Sequence, residues 1–153
     1  MATLKAKIPP PVVAIAMGFL MWLVARFTPS FAVNVPARRI IAGILFMTGL
    51  TTALSAMAWF RRAKTTLNPM APETASTLVT TGIYRVTRNP MYLGLLIALL
   101  AWSVLLANPL VLIFLPLFVL YMNHFQIAAE EAALIARFGE EFLAYKSRVR
   151  RWV

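Results

Sequence analysis

Residues 40–60 read Ile40-Ile41-Ala42-Gly43-Ile44-Leu45-Phe46-Met47-Thr48-Gly49-Leu50-Thr51-Thr52-Ala53-Leu54-Ser55-Ala56-Met57-Ala58-Trp59-Phe60, with no charge among them. An uncharged apolar helix of about 20 residues is long enough to cross the hydrocarbon core of a bilayer. Arg38 and Arg39 precede this run, and Arg61, Arg62 and Lys64 stop it. Basic residues at both ends mark the passage from hydrocarbon to head groups. Three further apolar runs surround it: Ile8 to Ala25, Met91 to Ala107, and Leu110 to about Phe125. Pro9, Pro10 and Pro11 open the first of these, where proline suits the first turn of a helix. Lys5 and Lys7 ahead of it also fit a secretory signal peptide. Its length and the lack of a small-x-small cleavage site favour a retained helix. Asn108 and Pro109 form a turn, so the last two runs pair as a hairpin, the fourth bent at Pro116. Each hairpin helix is about 25 Å long, slightly short for a bilayer core.

Composition agrees. The chain has 153 residues, 61% of them hydrophobic, and a mean hydropathy of +0.77. A soluble domain of this length cannot hide so much apolar surface. The net charge of +10 would suggest nucleic acid in a soluble protein, but here the basic residues flank the apolar runs. Membrane lipids are the expected partners, and no nucleic acid or obligate protein partner is expected. No cysteine is present, which excludes disulfides, thiol chemistry and prenylation or palmitoylation of the chain itself. One histidine, His124, cannot build a histidine metal site, and no metal is expected. No two of the six glycines are spaced G-x-G, so a Rossmann fingerprint and a P-loop are absent.

The fold class expected is all-α integral membrane, with about four transmembrane helices, a cytosolic polar loop and an amphipathic C-terminal helix. Residues 1–60 form two N-terminal spans. Residues 61–153 form a second region: a polar loop 61–90, a hairpin 91–125 and a tail 126–153. With four spans, the N-terminus, the loop and the tail share one side. Twelve basic residues lie there (Lys5, Lys7, Arg61, Arg62, Lys64, Arg85, Arg88, Arg137, Lys146, Arg148, Arg150, Arg151) against three opposite (Arg26, Arg38, Arg39). All five acidic residues join the twelve. The positive-inside rule then puts both termini in the cytoplasm, in a bacterial inner membrane. In the tail, Leu134, Phe138, Phe142, Tyr145 and Val149 recur at helical spacing and make one apolar stripe. Gly139 divides it into two pieces, with Glu140 and Glu141 suited to the next N-terminus. The tail lies on the membrane or on the loop. The small-x-x-x-small pairs Ala14/Gly18, Gly49/Ala53 and Gly94/Ala98 suit helix packing.

Two clusters carry chemistry. The first runs Gly82-Ile83-Tyr84-Arg85-Val86-Thr87-Arg88-Asn89-Pro90-Met91-Tyr92-Leu93-Gly94, where the loop meets the third apolar run. Pro90 suits a first helical turn with Asn89 as its N-cap. An electropositive helix start beside Arg88 can take a carboxylate, and Tyr84 and Tyr92 offer faces to an adenine or a sulfonium. The same residues also fit an ordinary basic, aromatic interfacial belt. The second cluster is Glu130-Glu131. It can hold polar cofactor groups or accept a proton, or else form a solvated helix face paired with Arg137 or Arg88.

The runs Thr65-Thr66-Leu67-Asn68-Pro69, Leu78-Val79-Thr80-Thr81-Gly82-Ile83-Tyr84-Arg85 and Arg88-Asn89-Pro90-Met91-Tyr92-Leu93-Gly94 resemble the isoprenylcysteine carboxyl methyltransferase and phospholipid methyltransferase superfamily. Glu130-Glu131, Phe138-Gly139-Glu140-Glu141-Phe142, Tyr145 and Arg148-Val149-Arg150-Arg151-Trp152 are similar to its C-terminal pattern. The resemblance covers roughly residues 61–153. It implies an S-adenosylmethionine-dependent methyltransferase with a cytosol-facing pocket, capped by the C-terminal segment and reached by lipid between helices. It assigns Tyr84, Arg88, Asn89, Pro90, Tyr92 and Gly94 to the cofactor, and Glu130 and Glu131 to the cofactor or the nucleophile. Arg88, Glu130 and Glu131 are the residues expected to matter for catalysis. Asn89 stands where the eukaryotic carboxyl methyltransferases have histidine, Ile83 at a frequent proline position and Lys64 at a frequent glycine position. The acceptor is lipid-like or small and hydrophobic, offering a carboxyl, amine or thiol. The alternatives are a non-catalytic membrane protein keeping the fold, or an NADPH-dependent membrane reductase relative.

Overall fold

The computed structural model describes residues 8–31, 34–63 and 76–153. Lys5, Lys7, Lys64, the run Thr65–Pro69, Pro72 and Glu73 lie outside the described residues. Helix α1 (Pro10–Phe27) opens with proline in its first turn, where a missing N–H costs nothing. It ends at Thr28, whose hydroxyl donates to the Val24 carbonyl at 2.7 Å. Helix α2 (Val35–Arg62) starts ahead of its apolar run because Asn34 caps it, accepting from the Ala37 N–H at 3.1 Å. Helix α3 (Pro90–Leu106) stops at Ala107, which takes a left-handed conformation with φ 47°. Asn108 then accepts from the Leu110 N–H at 2.9 Å and turns the chain back, as the sequence predicts.

From Pro109 to Phe138 the chain is helical throughout but changes winding three times. It is 3-10 over Pro109–Ile113, α over Phe114–Tyr121 (α4), π over Met122–Ile127, and α again over Ala128–Phe138 (α5). Pro116 sits in the first turn of α4, just after the 3-10 winding gives way. Gly139, with φ 50°, separates α5 from α6 (Glu140–Arg148), where the sequence places the break. Every element among the described residues is helical.

Three helical stretches are long and apolar enough to cross a membrane: Pro10–Phe27, Val35–Arg62 and Pro109–Phe138. Helix α3, with 17 residues, is shorter. It is bounded by Pro90 on one side and by the Ala107–Asn108 turn on the other. Large apolar side chains point outward along these helices, among them Ile15, Phe19, Ile40, Ile44 and Leu120. Such faces are what a bilayer covers.

Two backbones approach closely at the α2–α3 crossing. A Cβ on Gly49 would lie 2.6 Å from the Gly94 carbonyl oxygen, and one on Gly94 would lie 2.6 Å from the Gly49 carbonyl oxygen. Ala53 and Ala98 flank the contact, so the two small-x-x-x-small pairs interlock with each other. Helix α1 joins α3 where the Trp102 indole N–H donates to the Gly18 carbonyl at 3.0 Å. At one end of the bundle, the Asn108 amide donates to the Thr28 hydroxyl at 2.7 Å and the Pro29 carbonyl at 3.1 Å, tying the two turns together. Met21, Leu99, Val111, Phe118 and Met122 belong to the core between α1, α3 and α4. A second core sits at the opposite end, around Ala56, Val79, Tyr84, Phe142 and Tyr145. All five stripe residues of the tail pack there, so the tail covers residues 78–84 and the end of α2.

Gly94→Leu forces the α2–α3 crossing apart, and overpacking of this kind costs about 1–3 kcal/mol or more. Gly43 has no atom within 4 Å of its missing Cβ, so Gly43→Leu serves as the neutral control. Thermal unfolding in detergent should separate the two variants by several degrees, and coincident melting curves would refute the packing role of Gly94.

Candidate functional site

The second core builds a platform. Gly82 adopts φ 61° directly beneath Trp59, where a Cβ would lie 2.0 Å from the indole ring. Only glycine satisfies both the conformation and the space. Arg62 stacks on the same indole, 5.3 Å from the ring centre. The following 3-10 turn (Gly82–Arg85) turns Tyr84 inward, edge-on to Phe60 at 5.3 Å. The Tyr84 carbonyl accepts from the Tyr145 hydroxyl at 2.7 Å, which locks α6 onto this turn. Burial pushes both phenols above their ordinary range. The neighbouring Tyr145 and Glu130 add to this for Tyr84, while Arg88 opposes it for Tyr145. Both therefore stay protonated donors.

The chain then passes Thr87, Arg88 and Asn89 into α3, bound along its length by the last residues of the protein. The Arg88 N–H donates to the Arg150 carbonyl at 3.0 Å. The Thr87 hydroxyl and the Asn89 amide both donate to the Arg151 carbonyl, at 3.3 Å and 2.9 Å. Residues 150–152 are thus a strap across the start of α3. Asn89 does occupy the N-cap position before Pro90, but its side chain does not cap the helix. The sequence expectation of a capping side chain is corrected here: the amide NH2 donates to the strap's carbonyl, and the amide oxygen accepts from no N–H of the helix start. The first turn of α3 is left without a side-chain cap.

The two adjacent glutamates face different partners, since successive helical positions are turned by about 100°. Glu131, buried on α5, meets three cations from three segments: Arg88 Nη1 at 3.1 Å, Lys146 Nζ at 3.3 Å and Arg151 Nη2 at 2.8 Å. Arg151 also donates through Nε to the other carboxylate oxygen at 3.1 Å, giving a two-point contact. Glu130 instead accepts from the Tyr92 hydroxyl and, at 2.7 Å, from the Gln126 amide. Both donors reach Oε1, and no hydrogen bond from the described residues reaches Oε2. The Arg88 side chain is only 10% exposed, yet Nε and Nη1 have no hydrogen-bond partner among the described residues. Its contact with Glu131 has the distance of an ion pair without the alignment of a hydrogen bond.

Of the sequence-derived site residues, Tyr84, Arg88, Asn89, Pro90, Tyr92, Glu130 and Glu131 gather around the start of α3, α5 and the strap. Gly94 lies one turn further along α3, against Gly49 and Ala53 of α2. Sequence reasoning assigned no role to Asn123 and Gln126. Asn123 accepts from the Trp152 indole N–H at 3.0 Å, holding the strap, while Gln126 holds Glu130. Both stand in the π-helical segment, a winding common at functional sites. Two amides inside an otherwise apolar run are the signal that could have found them, with Gln126 four residues ahead of Glu130.

Apolar helices carrying a cation-rich polar site at one end define a membrane-type helical protein. The profile of the family described as "Phospholipid methyltransferase" matches residues 37–141. The chain belongs to the phospholipid methyltransferase family. It is 49% identical over 63 residues to an uncharacterized protein of Haemophilus influenzae, covering 41% of this chain and 100% of that one. It is 40% identical over 73 residues to the protein-S-isoprenylcysteine O-methyltransferases of Mus musculus and of Homo sapiens. Those matches take in 48% of this chain and 26% of each enzyme, so the chain spans about a quarter of their length. No solved structure matches. The family match begins inside α2, the helix that supplies Trp59 and Gly49.

Tyr145→Phe leaves the Tyr84 carbonyl buried without its donor, which costs about 1–3 kcal/mol. Limited proteolysis should then release the C-terminal segment sooner than from the unaltered protein, and equal rates of cleavage would show that this bond does not hold α6.

Proposed function

We propose that this protein is an integral membrane methyltransferase that takes its methyl group from S-adenosylmethionine and passes it to a lipophilic acceptor. The observation that carries the reading is the Arg88 guanidinium, nine-tenths buried beside an uncapped helix start, with two nitrogens that make no hydrogen bond among the described residues. Buried N–H groups without acceptors are costly, so this is a place made for anionic oxygens. A carboxylate fits: the guanidinium can donate to it in fork geometry, and the α3 N-terminus adds partial positive charge. Arg88, Lys146 and Arg151 also outnumber the one carboxylate they share, which leaves local charge for a second anion.

The chemistry of the remaining donors suits the rest of the cofactor. Glu130 Oε2 can accept from an ammonium or from ribose hydroxyls, with Tyr92 and Gln126 fixing the carboxylate from the other side. Tyr84 and Tyr92 supply aromatic surface. Asn89 and Pro90 set where α3 begins, and Gly94 lets α3 sit against α2. When bound, S-adenosylmethionine supplies an electrophilic methyl on a sulfonium. The chain's own part is to align and to exclude water. The strap and α6 cover one side of the site. Among the described residues, no side chain is placed as a covalent nucleophile.

On this reading α3 completes a fourth span beside the three longer stretches. The side rich in arginine and lysine faces the cytoplasm with both termini, in a bacterial inner membrane. Residues 1–60 anchor the protein, residues 61–153 carry the site, and the acceptor, a carboxyl, amine or thiol on an apolar body, arrives from the bilayer. Family membership and the partial identity to two isoprenylcysteine methyltransferases support the reaction class.

Purified protein in nanodiscs should bind S-adenosylhomocysteine saturably and without competition from NADPH. Arg88→Gln should weaken that binding by roughly tenfold or more, the size of a charged hydrogen bond, and Glu130→Gln should weaken it too. No saturable binding by the unaltered protein would overturn the cofactor assignment.

A further inference from the structure

We infer that Glu131 is a positioning residue, not a ligand: it fixes the guanidinium of Arg88 and, through Arg151, the strap that braces the start of α3. The inference rests on the cofactor reading above and deepens it by separating the roles of the two adjacent glutamates. An ionised carboxylate offers about four lone-pair sites. On Glu131 each oxygen already faces two cationic nitrogens: Oε1 faces Arg88 Nη1 and Arg151 Nε, each at 3.1 Å, while Oε2 faces Arg151 Nη2 at 2.8 Å and Lys146 Nζ at 3.3 Å. The two Arg151 contacts are hydrogen bonds and the other two are ion pairs, so an incoming ammonium or hydroxyl has to displace a cation. On Glu130, one residue earlier, no hydrogen bond from the described residues reaches Oε2.

Arg88 is held at both ends by the same assembly. Its backbone N–H donates to the Arg150 carbonyl at 3.0 Å, and its guanidinium meets Glu131. Arg151 closes the loop of contacts. Its side chain grips Glu131 at two points, and its carbonyl takes the Thr87 hydroxyl and the Asn89 amide. One carboxylate therefore sets the orientation of Arg88 and the position of the helix start beside it. Without its charge, Arg88, Arg151 and Lys146 repel one another across a half-buried space, and Arg88 is the one whose displacement costs the cofactor its partner.

The test uses full-length protein in nanodiscs with two ligands. S-adenosylhomocysteine carries the amino-acid carboxylate, and 5′-methylthioadenosine keeps the adenosine and sulfur but lacks it. Glu131→Gln should weaken S-adenosylhomocysteine by about tenfold, leave 5′-methylthioadenosine unchanged, and add nothing to Arg88→Gln in the double variant. Equal weakening of both ligands would mean a structural role only. Additive losses with Arg88→Gln would mean direct contact with the cofactor. Unchanged binding would mean no role, and each of these three results overturns the inference. The double-variant comparison decides alone if 5′-methylthioadenosine binds too weakly to measure. If Glu131→Gln does not fold, Arg151→Lys keeps the charge and the strap and removes the two-point grip. It should weaken S-adenosylhomocysteine by about threefold without affecting 5′-methylthioadenosine, and unchanged affinity overturns the inference. Loss of S-adenosylhomocysteine binding already in the unaltered protein marks failure of the cofactor reading instead.

Discussion

The polar end of this molecule depends on one buried carboxylate compensated by three cations. Glu131 draws Arg88 from the start of α3, Lys146 from α6 and Arg151 from the strap into contact around two oxygens. The start of α3 lies far from α6 and the strap in the chain, and each segment is polar enough to prefer water. A buried ion that loses its partners is costly, so the cluster obliges the tail to return to the helix start. The Tyr145 hydroxyl on the Tyr84 carbonyl and the Trp152 indole on Asn123 hold the same return at its two flanks.

The apolar frame makes that return possible. Gly49 and Gly94 let α2 and α3 approach until backbone meets backbone, and this sets where the end of α2 stands relative to the start of α3. Trp59, near the end of α2, then roofs Gly82. The turn that follows delivers Tyr84 and Arg88 to the site. At the other end Asn108 ties the two turns together with side-chain amide bonds, so the bundle is closed at the end away from the cations.

The change of winding after α4 bears on the chemistry. The π-helical segment brings Asn123 to the strap and Gln126 to Glu130. α5 then turns its two glutamates to different tasks. One is saturated by cations and holds the architecture. The other keeps an acceptor free beside Tyr92. Adjacent, chemically identical residues acquire unlike roles because a helix turns by about 100° between them.

Much of this was legible in the chain. The first three apolar runs, marked by their basic and proline boundaries, match their helices within a few residues, because hydrophobic patterning and helix-start chemistry are local; the fourth runs on as helix to Phe138 instead of ending near Phe125. The Gly139 break and the stripe Leu134, Phe138, Phe142, Tyr145 and Val149 were legible for the same reason, and the small-residue pairs announced close packing. Family motifs located Arg88, Tyr92 and the glutamate pair. Tertiary structure alone decided the partners. Asn89 looked like a cap and became a brace, because a carbonyl 62 residues away orients its side chain by accepting from the amide NH2. Glu130 and Glu131 could not be told apart until α3, α6 and the strap were placed around them. Asn123 and Gln126 stayed unmarked because the apolar pattern around them carries no sign of the π winding that holds them. Local pattern determines which segments form helices and which faces are apolar. Which charge meets which, and which donor stays unpaired, depends on segments that only folding brings together.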